Sequence, residues 1–211
     1  MPRCDVCRLR YDLKSPESVA RHLRVHDALV NGFRYGAARS DRIVWAEGGL
    51  RIALVTGDSP VPQRRRAVSA FRVASREMGY SGSGYAKREP EEDEAHAFLL
   101  YRAGRMIGLF LLARRERWME GAWNDEEPNG VAEVSGWRAD RRERGETPLW
   151  SLDFMWIARK YRRQGYGRIV IGAAARTLGT TPEGLAWLPP FTPNGKAFIR
   201  HIQPVAFRAA Q

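Results

Sequence analysis

The only two cysteines of this 211-residue chain, Cys4 and Cys7, stand at its start, and His22 and His26 follow to complete the pattern C-x2-C-x14-H-x3-H. Zinc takes four tetrahedral nitrogen or sulfur ligands, and this pattern supplies four. Cys4 and Cys7 read as a tight knuckle. His22 and His26 are four apart, which puts both rings on one face of a helix. That helix has its own start signal in Ser15-Pro16-Glu17-Ser18, with Ser15 as N-cap and Pro16 at the first helical position, and a stop at Asn31-Gly32. A module this small gains folding energy from a bound metal. Residues 1–35 are therefore expected to form a zinc finger held by Cys4, Cys7, His22 and His26. Four protein ligands leave no open position, so the expected zinc is structural. Two other readings compete. A redox C-x-x-C opens a helix after a strand, and no strand precedes Cys4; alternatively the histidines are ordinary surface residues. Cysteines this close cannot staple a secreted disulfide scaffold.

The rest of the chain is long enough for one full domain. Hydrophobic residues make up 44% and there are 7 tryptophans, enough to bury a sizeable core. The longest apolar run, Met106–Ala113, is far short of the roughly 20 residues a spanning helix needs. The opening Met1-Pro2-Arg3-Cys4 lacks the apolar core of a secretory signal. The expected location is intracellular with no membrane partner: cytoplasmic if the source is bacterial, nuclear if eukaryotic. The formal net charge of +11 favours polyanions such as nucleic acid, phosphorylated cofactors or acidic protein surfaces. An Arg-rich proteome would produce the same excess, because the charge is spread along the chain.

Periodicity predicts strands at Arg42–Ala46 and Leu50–Val55 around Glu47-Gly48-Gly49, then a helix over 64–78 burying Val68, Phe71, Ser75 and Met78. Tyr80–Gly84 reads as a Gly/Ser loop and Glu89–Glu94 as an acidic stretch. Strands follow at Ala95–Tyr101 and Met106–Arg114, then a polar, irregular stretch at 117–148 expected to be an insertion or lid loop. Ser151–Ala158 reads as a buried strand, Gly165–Leu178 as a helix and Leu185–Leu188 as a short strand. A last helix or strand pair begins near Gly195. Strands alternating with helices after an early hairpin predict a mixed α/β fold.

A second constellation starts at the end of the buried strand: Trp156-Ile157-Ala158-Arg159-Lys160-Tyr161-Arg162-Arg163-Gln164-Gly165-Tyr166-Gly167-Arg168. Glycines let the backbone approach a ligand closely, and the first turn of a helix offers unpaired N–H groups and a positive dipole end. This is the chemistry of a pyrophosphate cradle, which Arg162, Arg163 and Arg168 would strengthen. Arg162, Gly165 and Gly167 match R-x-x-G-x-G, the coenzyme A signature of GNAT acetyltransferases. It is not a P-loop, because Lys-Ser/Thr does not follow. The alternative is an ordinary strand-to-helix turn with solvated arginines.

Together these residues resemble the cohesion-establishment (Eco/ESCO-type) N-acetyltransferases, which acetylate lysines on the SMC subunit of cohesin. The finger has that family's spacing. Asn31-Gly32-Phe33-Arg34-Tyr35, Arg42-Ile43-Val44, Asp58-Ser59-Pro60, Glu77-Met78-Gly79-Tyr80 and Thr192-Pro193-Asn194-Gly195-Lys196 are similar in order and length. The resemblance implies a GNAT-type mixed central sheet flanked by helices over 36–211, with acetyl-CoA as cosubstrate. It places Met155, Trp156 and Ile157 along the cofactor. Arg163, Gln164, Gly165, Tyr166, Gly167 and Arg168 would hold its pyrophosphate, with Thr192, Pro193 and Asn194 near cofactor and target lysine. The chain departs where the family commonly carries an acid, which is Pro190 here; Asn194 replaces a second acid, and Asp153-Phe154 replaces Ser-Arg. No catalytic base therefore carries over.

An amine must lose its proton before attacking a thioester, and lysine near pKa 10.4 needs a base for this. Asp153 on the cofactor strand is the first candidate and Glu133 on the lid segment the second, with backbone N–H groups near Ile157 stabilising the oxyanion. The other reading of Asp153 is a strand-edge carboxylate pairing an arginine. Three functions compete: a protein lysine acetyltransferase with an SMC-like or other chromosomal target, an acetyltransferase of small amines, and a catalytically degenerate protein that binds nucleic acid. Arg21 and Arg24 on the finger helix would touch phosphate in the last case, although specific readers string several fingers together. The Arg/Ala-rich composition fits a bacterial or phage genome, in which cohesin is not the substrate.

Overall fold

The computed structural model describes residues 1–78, 95–115, 118–123, 131–133, 148–188 and 192–210, with the backbone alone at 119–122 and 131–133. The Gly/Ser loop expected at Tyr80–Gly84, the acidic stretch Glu89–Glu94, most of the expected lid and Pro190 lie outside the described residues. The chain divides into two units, Met1–Phe110 with Met155–Val170 and Leu111–Phe154 with Ile171–Gln211. Residues 1–35 belong to the first.

The first unit is built on hairpins that the sequence encodes locally. Strands β1 (Arg42–Glu47) and β2 (Leu50–Val55) pair antiparallel, and Gly48 and Gly49 take φ +55° and +77°. Two consecutive left-handed residues suit the twist of a tight hairpin. Strands β3 (Ala95–Arg102) and β4 (Arg105–Arg115) turn through Ala103 and Gly104 in the same way. The order β1-β2-β3-β4 continues to the end of strand β7 (Leu149–Ile157), where the Ala158 N–H donates to the Ile107 carbonyl at 2.8 Å. β3 and β4 are apolar on both faces, and Phe98, Leu99, Leu100, Met106, Ile107, Leu109 and Phe110 are fully buried. A strand buried on both sides reads as a continuous apolar run, which is how these two stand in the sequence.

Helix α1 (Pro16–Asn31) starts as its cap predicts, with the Ser18 N–H donating to Ser15 Oγ at 3.2 Å. It ends at Gly32, where φ is +85° and an added Cβ would stand 2.6 Å from the Met106 carbonyl oxygen. Only glycine permits both that dihedral and that approach. The next residue, Phe33, then exchanges two backbone bonds with Met106 of β4. Helix α2 (Val61–Glu77) begins three residues before the predicted start and buries Ala67, Ala70, Phe71, Ala74, Gln63 and Ser75. The predicted stripe is thus displaced: Val68 and Met78 are half-buried, and a row of alanines takes the interior. Alanine lets a helix lie close to its neighbours, a role that hydrophobicity alone does not signal.

In the second unit β7 pairs parallel with β8 (Ala186–Trp187), and β8 parallel with β9 (Ala206–Ala210). Strand β5 (Trp118–Trp123) lies antiparallel to β9, and β6 (Val131–Glu133) antiparallel to β5. Over Trp118–Trp123 and Val131–Glu133 the expectation of an irregular stretch is corrected. Trp118–Trp123 is a strand registered on Ala206–Ala210, and its signal is weak because its short run of Trp, Met, Glu, Gly and Ala has no regular alternation. Helix α3 (Tyr166–Thr177) and helix α4 (Pro193–Ile202) complete the mixed α/β fold. Among the described residues no helix is long and apolar enough to cross a membrane.

Candidate functional site

The four predicted metal ligands come together. One ligand atom from each of Cys4, Cys7, His22 and His26 lies within 4.8 Å of every other. The knuckle is shaped by the Arg8 N–H on the Cys4 carbonyl (2.9 Å), the Cys4 N–H on the Leu9 carbonyl (3.0 Å), and Arg8 at φ +58°. Tyr11 stacks on His22 at 4.0 Å and fixes its ring plane. His22 Nε2 is buried without a hydrogen-bond partner, and a buried ring nitrogen left so is costly unless something else binds it. Burial works to raise the Cys4 thiol pKa, yet hydrogen bonds from the Cys7 backbone, His22 and His26 bring it down to about 6, while burial raises Cys7. Two sulfurs and two imidazoles at this separation fit a tetrahedral zinc ion. Such a site has no further ligand position.

The basic turn leaves the end of β7 through a short 3-10 turn, Arg159–Tyr161, and enters α3 at Tyr166. Arg163 and Gly165 take φ +63° and +78°. A Cβ on Gly165 would meet nothing within 4 Å, so that side of the turn is open. The first helical bonds are those of the Arg168 and Ile169 N–H groups on the Gly165 carbonyl, which leaves the Tyr166 and Gly167 amides without a helical acceptor. This is a construction that receives an anion. The side chains divide the work. Arg163, Gln164 and Arg168 are exposed, whereas the Tyr166 ring is 8% exposed and its hydroxyl accepts from Arg102, so Tyr166 offers its backbone. Gln164 Nε2 donates to the Lys160 carbonyl at 2.8 Å.

Arg162, expected to strengthen the cradle, is committed elsewhere. Its Nε donates to the Ile157 carbonyl at 2.7 Å and its Nη2 to Glu77 at 2.8 Å. Glu77, the last residue of α2, also accepts from Arg159 Nε (2.7 Å) and from the Trp156 indole N–H (2.8 Å). Its side chain is 6% exposed. The Trp156 ring, 2% exposed, packs edge-on against Phe33. Trp156 therefore faces the interior with its side chain. Glu77 was not singled out as a site residue by the sequence reading. Its three partners are 79, 82 and 85 residues away, beyond any local pattern.

β7 places the remaining candidates. It pairs with β8 only at Ser151 and Leu152 and then runs on to Ile157. The Ala158 N–H points to β4, and the Trp156 carbonyl lies 3.4 Å from a Cβ built on Gly108 of β4. Backbone groups alternate along a strand, so the main chain of Met155 and Ile157 faces away from β4. Side chains alternate too, and Asp153, Met155 and Ile157, all half-buried, share one face opposite the buried Leu152, Phe154 and Trp156. Asp153 forms an ion pair with Arg115 of β4, both side chains 17% exposed. The arginine pairing weighed from sequence is thus present. Glu133 ends β6, and its side chain lies outside the described residues. Thr192 caps α4 by accepting from the Gly195 N–H at 3.1 Å, with Pro193 and Asn194 opening the helix in the second unit.

Comparison with known proteins agrees with this geometry. N-acetyltransferase ESCO2 of Danio rerio is 22% identical over 204 residues, covering 92% of this chain. The chain spans about a third of the length of that curated relative (33%). The xEco2 acetyltransferase domain bound to a lysine–CoA conjugate superimposes with TM-score 0.66 at 16% identity, covering 82% of this chain and 98% of the other. The xEco2 acetyltransferase domain also superimposes with TM-score 0.62 at 18% identity, covering 83% and 98%. Identities this low establish the fold, and they agree with the resemblance read from the finger and the Thr192–Lys196 stretch. Residues 70–197 match the acetyltransferase (GNAT) family, more than half of the sequence, and the chain belongs to that family.

Proposed function

We propose that the chain is an acetyl-CoA-dependent N-acetyltransferase whose acceptor is a lysine side chain of a protein. The observation that supports it most is the open turn, in which Arg163 and Gly165 adopt left-handed dihedrals just before the free amides of a helix that follows the buried strand. Acetyl-CoA supplies the activated acetyl thioester. The amides of Tyr166 and Gly167, with Gln164, Gly165, Arg163 and Arg168, hold its pyrophosphate. The main chain of Met155, Trp156 and Ile157 runs beside its arm, with Thr192, Pro193 and Asn194 near the acceptor by family likeness. Asp153 shares a strand face with Met155 and Ile157, about 7 Å from Met155 at strand rise, and takes the amine proton. Asp153 is held in place by its ion pair with Arg115, and a water between amine and carboxylate would relay the proton. Glu133 is the second candidate. Zinc on Cys4, Cys7, His22 and His26 holds the finger together and takes no part in the chemistry.

A protein acceptor is supported by the solved relative captured with a lysine–CoA conjugate, and a chromosomal target of SMC type by the Eco/ESCO likeness. The net charge of +11 also favours a macromolecular partner, acidic protein or nucleic acid, over a small amine. The test is thiol release from acetyl-CoA by purified protein, with lysine peptides, acidic and basic proteins and small amines as acceptors. Release only with protein or peptide acceptors supports the proposal, and release only with small amines transfers the assignment to them. Neither release nor a thermal shift with acetyl-CoA leaves the nucleic-acid-binding reading.

A further inference from the structure

We propose that Glu77 is the positioning residue of the acetyl-CoA turn and that Arg159 couples this turn to the metal knuckle, so that a loaded knuckle and bound acetyl-CoA stabilise one another. The proposal rests on the acetyl-CoA reading above. Glu77 Oε1 accepts from Arg159 Nε at 2.7 Å, and Oε2 accepts from Arg162 Nη2 and the Trp156 indole N–H, both at 2.8 Å. One buried carboxylate thus ties the end of α2 to the strand before the turn and to both ends of the 3-10 turn that leads into it. Arg162 extends the run to the Ile157 carbonyl at 2.7 Å.

Arg159 extends it the other way. Its Nη2 donates at 2.9 Å to the carbonyl of Val6, which lies between the two cysteines. The position of that carbonyl is set by the knuckle, and hence by the metal that closes it. A continuous run therefore joins Val6, Arg159, Glu77, Arg162 and Ile157. Guanidiniums spent in this run are withdrawn from the phosphates. Their effect on the ligand is to hold Arg163 and Gly165 in left-handed dihedrals ready for it. The planar fork of arginine spans two acceptors at once, and a lysine reaches only one. Two ligands that each order a shared element must raise each other's affinity by the same factor.

The test uses the zinc-loaded full chain as wild type, Glu77→Gln and Arg159→Lys. Acetyl-CoA affinity is measured by calorimetry, and zinc release to a chelator is timed with and without saturating acetyl-CoA. In the wild type, acetyl-CoA slows zinc release by about fivefold or more. Glu77→Gln weakens acetyl-CoA binding about tenfold, removes the slowing, and places its kinetic loss on KM for acetyl-CoA rather than on kcat. Arg159→Lys removes the slowing with a smaller loss of affinity. Wild-type zinc release indifferent to bound acetyl-CoA overturns the coupling, and so does slowing retained in Arg159→Lys, which carries the test if Glu77→Gln does not fold. Wild-type acetyl-CoA affinity in a folded Glu77→Gln overturns the positioning role. A wild-type chain that binds no acetyl-CoA fails earlier and sinks the acetyltransferase reading itself.

Discussion

Asp153 and Glu77 show how differently two carboxylates serve one strand. Asp153 stands on the face of β7 shared with Met155 and Ile157, with Arg115 beside it. Glu77 accepts three bonds and reaches the same strand through Trp156. Asp153 is the base proposed above, and Glu77 is a positioning group. Asp153→Asn should lower kcat by about 100-fold while leaving the thermal shift by acetyl-CoA unchanged, read by steady-state kinetics and melting curves. Gly32 is a residue-scale constraint of another kind. Gly32→Ala forces a side chain into a left-handed dihedral against the Met106 carbonyl, and denaturant unfolding should record a loss of about 3 kcal/mol.

At the scale of elements, the finger and the seam where Arg66 of α2 meets Tyr35 and, on β3, Tyr101 make opposite demands on ionisation. Thiolate is the form that binds zinc. Chelation of the metal should lower the melting temperature and reduce helical circular dichroism from α1, with Cys7→Ser giving the same result, because so small a module folds around its metal. In the seam, burial raises the phenols of Tyr35 and Tyr101 well above their ordinary value, with Arg66 and its partner Asp41 alongside. Both phenols stay protonated in the folded chain at pH values where an unfolded chain loses the protons. The folded state therefore binds more protons above pH 10.0, and stability falls as the pH climbs past that value. Tyrosinate absorbance should show two phenols titrating late, at the pH of unfolding, and replacement of both by phenylalanine should remove that step.

For the whole molecule the governing quantity is charge. A net +11 steers an acidic macromolecule toward the chain and does much less for a small amine, which is itself a cation. Raising ionic strength from about 0.05 to 0.5 M should increase KM for an acidic protein acceptor several-fold and leave that for a small amine nearly constant. Equal salt dependence for both acceptors would argue that the charge excess is a property of composition alone.

Much of this protein was legible in order along the chain. The Cys-His spacing, the Ser15 cap, the Gly48-Gly49 and Ala103-Gly104 turns and the glycine-opened helix at 165 each depend on residues within a few positions of one another, so sequence by itself determined them. The tertiary structure decided the rest. It drew Trp118–Trp123 into a strand against Ala206–Ala210, set the alanine row of α2 in the interior, paired Asp153 with Arg115, and spent Arg162 on Glu77 instead of phosphate. In each of these the deciding partner lies far away in the sequence, and no local period or cap records it. Local chemistry writes the turn that could receive a phosphate, and only packing determines which arginines are left to meet it.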